Sequence, residues 1–286
     1  MRERNSRNGS TLMDAGRFTK SRSRTGARLI AALLLLSALG VVGSGGIASA
    51  GTISSGVSGT TLLADSFGVK DSLITNEYAF WNPGSLSAVR STTWDVTSGS
   101  LLARNGMAWS GVPDAIEPDA NSSNGTDSAI FRLVTKRKDF GSVNVSFRLR
   151  HNTFSSTPAT PAVAWDGEHV FLRYVDESSL YSVSFNRRDG TTAIKKKVPG
   201  GSSNGGTYFT LAAGRNSFSS GGFHNVRAMI FDNPGGSVSI RLRVDGVLVL
   251  SATDSGTGGP VIRSGAVGIR GDNSDFNLDD FVVTVH

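Results

Sequence analysis

The chain lacks cysteine altogether, which excludes two kinds of stabilising or catalytic centre. Without thiols the protein forms no disulfide and no thiolate metal site, so its stability has to come from a hydrophobic core. A phosphate-binding loop is missing as well. The glycine-rich segment 199–211 has neither the Gly-Lys-Ser/Thr ending nor the following helix that such a loop requires. A nucleotide-binding site is therefore not expected.

Residues 1–50 are interpreted as a cleavable signal peptide rather than as part of the fold. Basic residues precede the apolar run 29–42, and Ala48-Ser49-Ala50 before Gly51 is a small-residue cleavage site. The apolar run is shorter than the roughly 20 residues of a spanning helix, so no stable membrane span is expected after processing. The mature protein is predicted to be secreted, and the alternative is an uncleaved anchor at the cell surface.

Little net charge remains once this leader is removed. The sequence has 29 Lys and Arg and 23 Asp and Glu. Of these, 8 basic and 2 acidic residues lie in residues 1–50, so 21 of each sign remain. The overall charge of +6 belongs to the leader and gives no support for nucleic-acid binding, whereas a local cationic face is compatible with the balance.

The rest of the chain carries strand signals. Residues 51–61 are rich in Gly, Ser and Thr and are predicted to form a flexible linker, and residues 62–286 are long enough for one large β domain. About a dozen short segments separated by turn signals, without helix-period segments, predict an all-β sandwich or barrel. Hairpin turns are predicted at Ser98-Gly99, Asp189-Gly190 and Asp245-Gly246.

The segment 169–198 is central to the prediction because its alternation separates an apolar face from a polar one. A two-residue turn at Asp189-Gly190 would pair Phe185 with Ile194 and Val183 with Lys196. The predicted core side of this hairpin contains Val183, Phe185, Ile194 and Val198. The predicted solvent side contains Ser182, Ser184, Asn186, Arg188, Lys195 and Lys197.

Two neighbouring segments extend these faces. In residues 143–152 the strict period of two puts Val143, Val145, Phe147 and Leu149 in the core and Asn144, Ser146, Arg148, Arg150 and Asn152 in solvent. The segment before the hairpin is assigned with Val170, Leu172 and Tyr174 inside and His169, Phe171 and Arg173 outside. Together the solvent-facing residues form a predicted cationic face without carboxylates.

Five segments of the chain have a pattern that is shared with a known group of proteins. They are TTWDVTSGSLLA, WDGEHVFLRY, FHNVRAMIFD, VSIRLRVDGVLVLSATD and GAVGIRGDNSDFNLDDFVV. Through these segments residues 62–286 resemble the concanavalin A-like lectin/glucanase superfamily, the jelly-roll group that includes laminin-G-like modules. This resemblance implies a two-sheet antiparallel jelly-roll sandwich in which carbohydrate lies across a concave sheet face or at the loops above it. Because this scaffold hosts many activities, the resemblance is specific for fold and not for function.

A calcium ion is a further expectation. Resembling jelly rolls often join their first and last strands through calcium, and the acidic segment GDNSDFNLDD lies at the predicted last strand. Carboxylate oxygens are suitable ligands for this ion. The candidate ligands are Asp65, Asp279 and Asp280. The alternative is that these residues are solvated turn formers at strand ends.

The cationic face predicts binding of an anionic polysaccharide. Arginine forks hold uronate or sulfate groups well, and Phe171 is a candidate platform for a sugar ring. The alternative is that the Lys and Arg residues only solubilise an exposed sheet. The candidate ligand-binding residues are Arg148, Arg150, Asn152, His169, Phe171, Arg173, Asn186, Lys195 and Lys197.

A polysaccharide-degrading enzyme is the alternative from another class. A uronate lyase needs a group that neutralises the carboxylate and a base, which by residue type suits Arg148, Arg150, Asn152, His169 and Tyr181. The motifs of alginate-lyase relatives are absent from the sequence. A glycoside hydrolase needs two carboxyl groups, for which the sequence offers Glu117, Asp119, Asp166 and Glu168 from loops.

The cleavage site generates the first testable prediction. N-terminal sequencing of secreted material is expected to begin at or near Gly51, because the small-residue motif ends at Ala50. An intact leader recovered in the membrane fraction would contradict it and would indicate a surface anchor.

Overall fold

The structure is a computed structural model that describes residues 59–113, 129–158, 160–216 and 218–286. The predicted signal peptide and most of the predicted linker lie outside these residues. The regular secondary structure of the described chain is almost entirely β-strand, with one short helix, α1 (Glu77–Trp81). The strands in chain order are β1 (Thr61–Asp65), β2 (Ser72–Asn76), β3 (Trp94–Ser98), β4 (Ser100–Arg104), β5 (Met107–Trp109), β6 (Ile130–Thr135), β7 (Val143–Phe154), β8 (Gly167–Asp176), β9 (Ser179–Arg187), β10 (Thr191–Ser203), β11 (Gly206–Arg215), β12 (His224–Asp232), β13 (Val238–Val244), β14 (Val247–Asp254), β15 (Ala266–Asp272) and β16 (Ser274–Val285).

These strands form two antiparallel sheets, which confirms the predicted sandwich. One sheet, called the front sheet, has the order β11-β10-β9-β8-β15-β6-β3. The other, called the back sheet, has the order β14-β13-β12-β7-β16-β5-β4-β2, with β1 also paired to β16. Within the described residues no helix is both long and apolar enough to cross a membrane.

The core lies between the sheets and contains a row of aromatic rings from both. Phe185 of β9 contacts Phe147 of β7 at 5.8 Å between ring centroids, and Phe147 stacks on Phe281 of β16, also at 5.8 Å. Trp94 of β3 meets Phe281 edge-on at 5.0 Å and stacks on Phe67. Such aromatic pairs stabilise a fold by more than the burial of their apolar area alone. The row therefore couples strands of the front sheet to strands of the back sheet.

The alternation predicted for β7 is confirmed, because its apolar residues are buried in this core. The hairpin of β9 and β10 is also confirmed, but its predicted turn and pairing are wrong. The amide of Gly190, at φ 69°, donates to the carbonyl of Arg187, so three residues separate the strands. Val183 consequently pairs with Ile194 and not with Lys196. The displacement is two residues, so Val183, Ile194 and Lys195 stay on their predicted sides.

Two irregularities move predicted solvent-facing residues into the interior. Arg173, at φ 47°, lies where the pairing of β8 with both neighbours shifts, and its guanidinium donates to the carbonyls of Gly141 and Ile262. Its neighbour Tyr174 leaves the core side and stacks on Phe171. A second shift, at Glu168, turns Asn186 toward that carboxylate between the sheets. The outward assignments of Arg173 and Asn186, and the inward one of Tyr174, are wrong.

The predicted hairpin at Ser98-Gly99 is also wrong. β3 pairs with β6 in the front sheet, whereas β4 pairs with β2 and β5 in the back sheet. The chain crosses between the sheets at Gly99, whose φ of 84° suits glycine. The turn at Asp245-Gly246 is confirmed, since Val244 pairs with Val247 and both turn residues have positive φ.

A buried ion pair fixes the end of β14 to the front sheet. Lys196 and Asp254 are fully buried, with Nζ 2.9 Å from Oδ2 and 2.7 Å from the carbonyl oxygen of Gly259. The hydroxyl of Tyr181 donates to Asp254 at 2.6 Å. Burial acts to raise the pKa of Asp254, but the hydrogen bonds from Tyr181 and Lys196 outweigh burial and hold that pKa below its ordinary value.

Removal of one partner of this pair tests its role in stability. Asp254→Asn is expected to lower the free energy of unfolding by about 3 kcal/mol, because the buried Lys196 ammonium loses its counter-charge. Chemical denaturation measures this change. Asp139→Asn removes the partner of Arg137 in an exposed pair and is the matched control, for which the midpoint is expected to stay unchanged. Equal midpoints for all three proteins would contradict the assignment.

Candidate functional site

An open cleft lies on the outer face of the front sheet, and we call it the front cleft. Its volume is about 290 Å³. β8, β9, β10, β11 and β15 each supply side chains to it, and one comes from the connection before β8. The front cleft is lined by Trp165, His169, Ser182, Ser184, Arg187, Lys195, Ser203, Tyr208, Arg270 and Asp272.

The floor of the front cleft contains a carboxylate that is already neutralised. Arg270 Nε lies 2.9 and 2.8 Å from the two carboxylate oxygens of Asp272. Burial acts to raise the pKa of Asp272, but the charge of Arg270 and the contact with His169 hold it well below its ordinary value. His169 Nδ1 lies 2.7 Å from Ser184 Oγ, and its Nε2 lies 3.2 Å from Asp272 Oδ2 without a well-aligned hydrogen bond.

Other cations of the front cleft are less fully paired. Lys195 forms no ion pair among the described residues, and burial, followed by the charge of Arg187, lowers its pKa. Arg187 donates from Nη2 to Asp189 at 3.0 Å, while its buried Nε has no partner within the described chain. A lysine without an ion pair at an open cleft favours a ligand that brings negatively charged acceptors. The front cleft therefore suits an anionic ligand.

Two aromatic side chains border these cations. Trp165 is 57% exposed, which is unusual for so large an apolar ring. The ring of Tyr208 lies 5.8 Å from Lys195 Nζ and 4.9 Å from Lys197 Nζ. Trp165 precedes Asp166, whose carboxylate accepts from the backbone of Val163 and the side chain of Asn273. This anchored carboxylate fixes the backbone next to the exposed ring.

A smaller depression of about 10 Å³ adjoins the front cleft, and the two share Tyr208 and Arg270. Lys197 lies in this depression, almost fully buried, and donates to the backbone carbonyl of Glu177. Burial, followed by the charge of Arg270, lowers the pKa of Lys197 to about 8. The depression is lined by Arg132, Phe171, Tyr174, Glu177, Leu180, Lys197, Asn204, Tyr208 and Arg270.

The predicted ligand-binding residues divide among four places. His169 and Lys195 line the front cleft, and Phe171 and Lys197 line the adjoining depression. Phe171 is 1% exposed, so it is not the sugar platform that the sequence suggested. Arg173 and Asn186 lie in the interior. The back sheet carries Arg148, Arg150 and Asn152.

The residues on the back sheet cannot belong to the same surface, because the outer faces of a sandwich point in opposite directions. Arg148 is paired with Asp279 and Asp280, and Arg150 donates to Asn277 at 2.8 Å. The expectation of one cationic face is therefore wrong. The expectation that this face lacks carboxylates is also wrong, because Asp272 and Glu177 line the front-sheet depressions.

The predicted calcium ligands do not converge. Asp65 accepts from Trp94 Nε1 at 2.7 Å and from the amide of Phe67 at 2.8 Å, while Asp279 and Asp280 face Arg148. No group of three or more His, Cys, Asp or Glu suited to a metal ion occurs among the described residues. The arrangement does not fit a calcium site, and calcium binding stays a prediction from the resemblance alone.

The catalytic candidates of the sequence are also separated. Asp166 and Glu168 are buried and hydrogen-bonded, Glu168 to Asn186 and, at 2.7 Å, to His151. Tyr181 lies in the core against Asp254. Glu117 and Asp119 lie outside the described residues. Of the proposed lyase residues only His169 lines the front cleft.

Sequence reasoning missed Trp165, Arg187, Tyr208 and Arg270. The strand that carries Tyr208 was predictable, because the preceding Asn204-Gly205 is a dipeptide that strongly favours a hairpin turn. Both residues have positive φ in the structure. The glycine-rich segment 199–211 lies at the turn and in the adjoining strands of the β10–β11 hairpin. Arg270 follows from alternation in β15, whereas Trp165 lies in a connection for which periodicity predicts nothing.

Comparison with known proteins identifies the fold. No family model and no curated protein matches the sequence. A protein of unknown function with a galectin-like fold from Bacillus subtilis is 15% identical with a TM-score of 0.51, and the match covers 79% of this chain and 96% of that one. A carbohydrate binding module from Bacillus subtilis is 8% identical with a TM-score of 0.44, over 67% and 94% of the two chains. A glycosyl hydrolase family protein from Mycobacterium fortuitum is 12% identical with a TM-score of 0.45, over 78% and 99%. The galectin-like match shows that the chain has the lectin-type sandwich fold predicted from its concanavalin A-like resemblance, and it shows the fold alone.

Proposed function

We propose that the mature chain is a secreted carbohydrate-binding protein that recognises an acidic polysaccharide in the front cleft. One observation carries this proposal: incompletely paired cations line an open cleft beside an exposed indole ring. Lys195 has no ion-pair partner among the described residues, and Trp165 stands at the same cleft. Cations select for carboxylate or sulfate groups, and a flat ring is suited to the apolar face of a sugar.

The electrostatics of the site support an acidic rather than a neutral glycan. Among the cations that line the front cleft, Arg270 is paired with Asp272 and Arg187 with Asp189, so the charge of Lys195 is left without an ion-pair partner among the described residues. Hydrogen bonds to ionised groups are stronger than those between neutral groups, and partial burial of the lysine reduces its screening by water. A ligand with negative charges would therefore restore the charge balance of the cleft.

An enzyme from the uronate lyase class is the second candidate, and His169 favours it. Its imidazole lines the front cleft beside Asp272, and a histidine at such a position is suited to remove a proton. Lys195 lines the same cleft and would neutralise a uronate carboxylate, because Arg270 is already paired with Asp272. Incubation with uronate polysaccharides, followed by ultraviolet absorbance of the unsaturated product, distinguishes the two candidates, since a binder generates no product.

The front cleft and the back sheet can be tested separately by affinity electrophoresis of residues 51–286 in gels that contain polygalacturonate, alginate or a sulfated galactan. Lys195→Ala is expected to weaken binding about tenfold, because one charge-assisted contact is lost. Trp165→Ala is expected to weaken it by a similar factor. Arg150→Ala is the matched control on the back sheet, and its binding is expected to equal that of the wild type.

Added salt should weaken binding, because exposed charge contacts are screened over about 8 Å at physiological ionic strength. Methyl-esterified polygalacturonate keeps the sugar chain without its charges and is the matched neutral polymer. Equal retardation by charged and esterified polymer, or loss of binding in Arg150→Ala but not in Lys195→Ala, would contradict the proposed site.

The lowered pKa of Lys197 generates a prediction about pH. An acidic ligand stabilises the protonated ammonium, so binding above pH 8 requires uptake of a proton. Affinity is expected to fall as the pH rises through about 8, by at most about tenfold per pH unit for one proton. Lys197→Arg keeps the charge and is expected to flatten the profile. An unchanged profile in that variant would show that Lys197 does not contact the ligand.

A further inference from the structure

The smaller depression contains a carboxylate from the protein itself. Glu177 lies at the tip of the β8–β9 hairpin, and its Oε1 pairs with Arg132 Nη1. Its Oε2 accepts from Asn204 Nδ2 at 2.7 Å, at the tip of the β10–β11 hairpin. The carboxylate is thus held by residues that line the depression, whose free volume is about 10 Å³.

The cations around Glu177 outnumber it. Arg132 and Lys197 line the depression with Glu177 as its single carboxylate, while Arg270, which also lines it, is paired with Asp272. Arg132 is 8% exposed, and its Nε has no hydrogen-bond partner within the described chain. Glu177 therefore leaves a buried donor of its own arginine unsatisfied, which is unfavourable for a purely structural pair. A ligand acid could accept from that donor as well.

We propose that this depression is a second acid-binding subsite, and that Glu177 occupies it in the free protein in place of a ligand carboxylate or sulfate. The proposal rests on the proposed function, because the subsite adjoins the front cleft through Tyr208 and Arg270. A polymer with charges on neighbouring sugars would place one acid group in the front cleft and the next at Arg132. The substrate class is then a glycan with repeated acidic residues, and not a single terminal acid.

Displacement of Glu177 requires a hairpin tip to move and not the sheet. Glu177 and Ser178 are the turn residues between the paired strand ends Asp176 and Ser179. Release of the side chain breaks the contacts with Arg132 and Asn204, and the ligand acid replaces the first of them. The free protein therefore has a built-in competitor for acidic ligands.

The test compares wild type with Glu177→Gln by calorimetric titration with disaccharides and hexasaccharides prepared from polygalacturonate, alginate and a sulfated galactan. Loss of the competing charge is expected to raise affinity for the hexasaccharide roughly threefold to tenfold and to leave the disaccharide nearly unchanged. Asn204→Gly is a second variant that weakens the hold on Glu177. Glycine is suited to the positive φ of 43° at position 204. This variant is expected to give a smaller gain in affinity for the hexasaccharide.

The matched control is Asp280→Asn, which removes a carboxylate from an arginine pair on the back sheet and changes the net charge equally. It is expected to leave both affinities unchanged. Failure of the wild type and of both subsite variants to bind any of the acidic oligomers would overturn the proposed function and the subsite together. Binding by the wild type with no gain in either variant, or an equal gain in Asp280→Asn, would overturn the subsite alone.

Discussion

The row of aromatic rings between the sheets is the contact on which the remaining architecture depends. Phe147 and Phe281 from the back sheet lie against Phe185 and Trp94 from the front sheet, so the inner faces are fixed to each other. Once these faces are buried, the polar residues that alternate with them point outward from one sheet or the other, except at the pairing shifts that turn Arg173 and Asn186 inward. The row also explains Asp65, which accepts the indole proton of Trp94 and so satisfies the one polar group of that ring.

Alternation in the sequence predicted correctly which side of its strand most residues face. It did not predict which strands belong to the same sheet. The burial of Val183 and Phe185 and the outward position of Lys195 are confirmed, even though the turn beside them was predicted incorrectly. A period of two specifies a side of a strand, and it survives a register displacement of two residues. It does not specify the sheet to which the strand belongs. Arg150 and Lys195 consequently looked like neighbours and lie on opposite surfaces.

The other errors occur where the backbone departs from the regular pleat. Arg173 adopts a positive φ, and the pairing shift at Glu168 places two successive residues on one side. No periodic pattern reports such positions. The sequence also did not predict that Asp272 and Arg270 lie beside His169, because they lie on a strand about a hundred residues away from it in the chain. The candidate site was therefore partly predictable in residue type, and its charge balance was not.

The exposed ring and the cations of the front cleft are supplied by different kinds of element. Lys195 lies on β10 and Arg270 on β15, which are both strands of the front sheet. Trp165 belongs to the connection between β7 and β8. A change in the length or composition of that connection would move the ring without altering the register of any strand. Under the proposed function, preference for the shape of a sugar and preference for its charge can therefore diverge independently in descendants of this sequence.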